Sequence, residues 1–242
     1  MIKTPTTRLS KIIKSTSLFA FVLSFSLIAA TPAFAAKPSA NKTGNDISYP
    51  QCGSTLPTDQ AFGIVGVNGG LATTLNPCLA EQLQWASRST GIAAAQPKVQ
   101  LYVNTANPGE IIDQVTTWPT SGTTPYGECD GTNTLACSWK YGYDRAYNDV
   151  NVHFIPQAQT AGVDSTPSSY IWWLDVETTN TWQSGSPEAL ARNAATLEGM
   201  TSYFKSVGGK VDDIGTSGVK QAGDIISRAY DDALSGLKGV TL

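Results

Sequence analysis

Short, nearly continuous apolar runs alternate along this chain with longer stretches in which apolar residues recur at helical spacing. Asn45-Asp46-Ile47-Ser48 predicts a short first strand. Phe62 to Asn68 (FGIVGVN) predicts a second, ended by Gly69-Gly70. Val99 to Asn104 (VQLYVN) predicts a third, Tyr170 to Val176 a fourth, and Val211 to Ile214 a weak fifth. Strands that are apolar on both faces and alternate with helices argue for parallel βα units.

The segments between carry helix punctuation. Asn76-Pro77 puts a capping residue before a proline at the first helical position. Leu79, Leu83 and Trp85 follow at helical spacing, with a stop near Gly91. Asn107-Pro108-Gly109 turns the third strand into a short helix reaching Trp118. Trp139 to about Ala161 has helical spacing, and Pro156 is expected to end or kink it. Ser186-Pro187 caps a helix through Leu190, Leu197, Met200 and Phe204, closed by Gly208-Gly209. Gly218 to Leu234 predicts a last helix.

The first 35 residues read as an address rather than as fold. Lys3, Arg8, Lys11 and Lys14 precede an apolar run from Leu18 to Ala30, and Ala33-Phe34-Ala35 supplies a small-x-small cleavage pattern. Residues 36–43 form a flexible lead-in, and residues 44–242 one domain. Cleavage after Ala35 removes four of the sixteen basic residues and leaves nineteen acidic ones, a net charge of about −7. That balance argues against nucleic acid or an anionic membrane surface as partner. The low charged fraction, 14%, suits an extracellular protein that meets neutral polar polymers. No oligomeric state follows from the pattern. Cys52, Cys78, Cys129 and Cys137 contain no CxxC pair, so behind a secretory leader they predict disulfides. Of the three connectivities, Cys52–Cys78 and Cys129–Cys137 are favoured because each closes a local loop.

In parallel α/β sheets, ligands sit at the carboxyl ends of the strands. The polar residues there are Asp46, Ser48, Asn68, Tyr102, Asn104, Asp175 and Glu177. Asp175 and Glu177, two apart, share a strand face with Cα atoms about 6.6 Å apart. Two carboxylates in one cleft split their pKa values and yield an acid beside a base, the requirement of glycoside hydrolysis. Trp182, in the following loop, is a candidate sugar platform. The plainer reading is a core strand, Trp172-Trp173-Leu174, that happens to end in solvated acids. His153 is the only histidine and lies in a helical stretch, which argues against a histidine-based zinc site or catalytic triad. No metal or cofactor is called for.

NDISYPQCG, GVNGG, LYVNTANPG, WWLDVETTNTW and the later N-x-x-x-LEGM together resemble secreted bacterial proteins with a glycoside-hydrolase-like domain. Asp46-Ile47-Ser48 and Asp175-Val176-Glu177 are also similar to segments of glycoside hydrolase family 25, the β/α-barrel lysozymes. The resemblance covers roughly Gly44 to Gly209. It implies a parallel TIM-type β/α barrel acting on a β-1,4 amino-sugar polymer such as peptidoglycan. It implies Glu177 as general acid, Asp175 as stabiliser of positive charge or of the acetamido group, and Asp46 as their support. Tyr102, Asn104, Asn68 and Trp182 would contact the glycan. GIVGVNGG and LYVNTANPG depart from the lysozymes' Lys-Ala-Thr and Tyr-His-Phe types. From about residue 210 the pattern also departs, so the expected barrel is incomplete or divergent at its C-terminal end. The other classes to weigh are a carbohydrate-binding protein without turnover and a cell-surface interaction domain.

Sequencing the N-terminus of the exported protein is expected to read Ala36-Lys37-Pro38, and a chain still starting at Met1 would refute the leader.

Overall fold

The computed structural model describes residues 42–177 and 180–211, all within the second of the chain's two units, Ser39–Leu242. The leader, most of the lead-in, all but the first residue of the fifth strand and the last helix lie outside the described residues. In chain order the strands are β1 (Asn45–Ile47), β2 (Gly63–Gly66), β3 (Val99–Asn104), β4 (Gly122–Thr124), β5 (Gly127–Cys129) and β6 (Trp172–Asp175). The helices are α1 (Leu79–Ser87), α2 (Leu135–Asn148), α3 (Ile155–Ala161) and α4 (Pro187–Ser206). β1, β2, β3 and β6 form a parallel sheet in that order, and β4 and β5 a small antiparallel hairpin. The fold is mixed α/β with a four-stranded parallel sheet.

Register decides what each face carries. Ile47 pairs with Val65, Val65 with Leu101, and Leu101 with Trp172. Paired residues share a face, so these and Val103 line one side. They are buried in one core with Leu79 and Leu83 of α1, Phe154, and Met200 and Phe204 of α4. Trp172 sits at its centre, stacked on Phe204 at 4.7 Å and edge-on to Phe154 at 5.2 Å. Truncating such a ring to alanine costs about 3–5 kcal/mol. Trp173 does not join it, contrary to the expectation of three consecutive core residues. The pleat turns Trp173 to the opposite face, where its Nε1 donates to Gln100 Oε1 at 2.8 Å.

The connections follow the predicted punctuation with local shifts. Ser186 Oγ accepts the Ala189 N–H, so α4 starts where expected. Asn76 stands two residues before the N-cap, Cys78, rather than at it. Its Oδ1 accepts the Cys78 N–H at 3.0 Å, and α1 begins at Leu79 and ends at Ser87. The stretch after Asn107 forms 3-10 turns over Gly109–Gln114 rather than an α-helix reaching Trp118. The two disulfides pair Cys52 with Cys78 and Cys129 with Cys137, the favoured local pairs. The helical stretch begins earlier than expected, at Leu135, and changes spacing before its proline. Asp149–Phe154 is π-helical, and Pro156 sits in the first turn of α3, where a missing N–H is tolerated.

α2 and α4 approach until backbone meets backbone. A Cβ on Gly142 would lie 1.9 Å from the Thr196 carbonyl oxygen, and one on Gly199 would lie 2.0 Å from the Trp139 carbonyl oxygen. Thr196 Oγ1 also donates to the Ser138 carbonyl across this contact at 3.0 Å. Gly142→Ala and Gly199→Ala are each expected to lower stability by about 1–3 kcal/mol through overpacking, read from urea unfolding midpoints.

Candidate functional site

The carboxyl ends of β1, β3 and β6 bring Asp46, Tyr102, Asn104 and Asp175 to the face opposite the core. A cavity of about 360 Å³ opens there, bordered by these four, by Glu177 and by the Ser48–Gln51 turn. Glycines shape its walls. At Gly66 a Cβ would lie 2.5 Å from the Tyr102 ring and 2.6 Å from its hydroxyl, so only glycine lets that ring lie across β2 toward Ser48. Gly70, at φ +92°, makes similar room for the Tyr49 ring.

The turn after β1 is fixed by amides. The Ser48 N–H donates to Gln51 Oε1 at 2.9 Å, and Gln82 Nε2 donates to the Ser48 carbonyl at 2.6 Å. Gln82 is itself held by Asn76 Nδ2 at 2.7 Å, and the same nitrogen reaches the Gly66 carbonyl at 2.8 Å. On the far side, Thr105 donates both its N–H and its hydroxyl to the Asp175 carbonyl, at 3.1 Å and 2.7 Å.

Burial sets the electrostatics. Loss of hydration lifts the Asp175 carboxyl to about 6, reinforced by the Glu177 and Asp46 charges. Asp46, on β1 at the end of the described sheet, is exposed as a residue, yet its carboxyl faces the cavity and desolvation lifts it to about 6 as well. At Asp175 partial burial and two neighbouring charges act together. Desolvation pushes the Tyr102 hydroxyl to about 12, a hydrogen bond with Ser48 opposing it and the three carboxylates adding to it. Glu177 lies exposed at the mouth. Among the described residues no group of three or more His, Cys, Asp or Glu side chains is arranged to hold a metal ion.

Two of the expected glycan contacts stand elsewhere. Asn68 is fully buried, donating from Nδ2 to Asp149 Oδ1 at 2.8 Å and accepting the Asn104 N–H on Oδ1 at 2.7 Å. It lies beneath the cleft because the π-helical turn offers it a carboxylate there. Trp182 does not border the cavity; its Nε1 donates to the Glu177 carbonyl at 3.0 Å. Its loop is anchored by buried Gln183, which donates to Asn107 and Asn133 and accepts from Arg192 Nε at 2.6 Å. Tyr49 is a wall that periodicity did not single out. Its signal was position, directly after the first predicted strand. His153 is buried, with Nδ1 3.3 Å from Asp149 Oδ1.

No protein-family model, curated protein or solved structure matched the chain.

A carboxyl whose folded pKa lies above its unfolded value favours the fold while protonated. Its contribution is full below the unfolded value of 3.8 and is lost as pH rises through about 6. Asp175→Asn removes that loss. The variant's melting temperature is expected to exceed that of wild type at pH 7 and to converge with it near pH 4, measured by thermal melts across that range.

Proposed function

We propose that this is a secreted glycoside-hydrolase-like protein that cleaves β-1,4 amino-sugar linkages of a cell-wall polysaccharide such as peptidoglycan. The observation that carries the reading is Asp175, partly buried at a strand end, lifted to about 6 and sharing a cavity with Asp46 and Glu177. At pH 6 such a group is about half protonated, which suits acid catalysis. One carboxyl protonates the leaving glycosidic oxygen, and another stabilises the oxocarbenium-like centre or attacks it. The family resemblance gives the acid role to Glu177, whereas burial favours Asp175 as the holder of the proton. Asp46 faces them from β1, and the rings of Tyr49 and Tyr102 offer apolar walls to a sugar. Asn104 contributes a polar floor.

The leader and the two disulfides support export, and no described helix is long and apolar enough to cross a membrane. The parallel order β1-β2-β3-β6 is compatible with part of a TIM-type barrel whose C-terminal part diverges.

Release of reducing ends from purified peptidoglycan tests the reading. Wild type is expected to release them, and Asp175→Asn and Glu177→Gln are each expected to lower the rate by about 100-fold or more. Binding of the glycan without release would favour a carbohydrate-binding protein, and neither outcome would favour a cell-surface interaction domain.

A further inference from the structure

The ladder between β2 and β3 ends just short of the cleft. The Val67 N–H still donates to the Tyr102 carbonyl at 2.9 Å, but the Val67 carbonyl is taken by the Asn76 N–H at 3.0 Å. The next amide on β3, that of Asn104, therefore has no backbone acceptor on its neighbour. Asn68 supplies one from its side chain, Oδ1, at 2.7 Å. An amide side chain presents its oxygen in one direction only if its nitrogen is also engaged. Here the engaging group is Asp149 Oδ1, at 2.8 Å, in the π-helical turn 81 residues away in sequence. Both side chains are fully buried.

The chain of contacts runs on to the acid. Asn104 pairs with Asp175 across β3 and β6, and Thr105 grips the Asp175 carbonyl with its N–H and its hydroxyl. A continuous bolt thus crosses three strands beneath the cavity: Asp149, Asn68, the Asn104–Thr105 backbone, Asp175. We infer that Asp149 is a positioning residue for the candidate site, holding Asn68 so that the carboxyl end of β3, and through it Asp175, keeps its place under the cleft. This goes beyond the proposed function and rests on it only in taking the cleft as the working site.

The surroundings of Asp149 argue against a simple helix-to-sheet tie made at no cost. Burial pushes its carboxyl up, while Arg145, His153 and Asn68 act to lower it. Its Oδ2, the Arg145 Nε and the His153 Nδ1 make no hydrogen bond among the described residues. A buried carboxylate with an unpaired oxygen is costly. The π-helical turn that carries it also interrupts the regular ladder of the helix. An apolar residue would fill the position without those penalties but could not orient Asn68.

The test compares Asp149→Leu, Asp149→Asn and the exchange pair Asn68→Asp with Asp149→Asn. The pair reverses the polarity of the contact. An aspartate at 68 accepts from both the Asn104 N–H and the new amide at 149. Amide hydrogen exchange at Asn104 is read against Val67 and Leu101, which donate within the same sheet. The titration midpoint of the Asp175 carboxyl is followed by NMR.

In Asp149→Leu, Asn104 is expected to lose protection by about tenfold or more, the worth of an unmade buried hydrogen bond, while Val67 and Leu101 hold theirs. The Asp175 midpoint is expected to move. Asp149→Asn, which keeps an acceptor for Asn68, and the exchange pair are both expected to stay close to wild type. An unchanged Asn104, or a loss shared equally with Val67 and Leu101, would overturn the inference. If Asp149→Leu does not fold, the exchange pair decides: wild-type protection at Asn104 supports the bolt, and its loss or failure to fold refutes it. No substrate is involved, so failure of the wild type to cleave peptidoglycan would count against the proposed function and leave this result standing.

Discussion

A buried amide or carbonyl that finds no partner costs about 1–3 kcal/mol, and a parallel sheet creates such groups wherever its strands end. In this protein the strand ends are closed by carboxamide side chains. Asn68 accepts where the β2–β3 ladder stops, and Asn76 and Gln82 hold the Gly66 and Ser48 carbonyls. Asn107, Asn133 and Gln183 bond one another side chain to side chain and tie down the loop beyond β6. The cleft, walled by Tyr49, Tyr102 and the carboxylates, thus rests on strand ends whose backbone groups are paired by amides beneath it.

The apolar packing lies one layer away and serves a different end. Trp172, Phe154 and Phe204 fix β6 against α4, and the glycine contacts between α2 and α4 bring those helices close enough to support the π-helical turn behind the sheet. That turn aims Asp149 at Asn68. The Asp149–Asn68 contact joins that helical layer to the strand ends, alongside β3 and β6, which carry core and site residues on their two faces.

The site itself carries a penalty that the fold has to absorb. Asp46 and Asp175 share a cavity with Glu177, and loss of water lifts the first two to about 6. Each is a cost near neutral pH, where ionised carboxylates would rather be hydrated. Groups held away from their ordinary pKa in a concave polar pocket mark places where chemistry is done more often than places where stability is gained.

The sequence by itself indicated β1, β2, β3 and β6, α1 and α4, favoured both disulfide pairs, and marked the Ser186 cap and the acids at the strand ends, but not the β4–β5 hairpin. These follow from local spacing, from the preferences of residues within one turn of each other, and from the alternation that puts i and i+2 on one face. It also made Asn68 and Trp182 look like cleft residues, because each follows a strand at the expected end. Only the tertiary structure turned Asn68 inward to a carboxylate 81 residues away and drew Trp182 back onto the Glu177 carbonyl. The same holds for Gly66 beneath Tyr102 and for Gly142 and Gly199 between α2 and α4, whose close contacts exist only once a second element lies over them. A pattern along one chain records what each segment prefers by itself, whereas which groups are desolvated, and which partner satisfies them, is fixed only when distant segments meet.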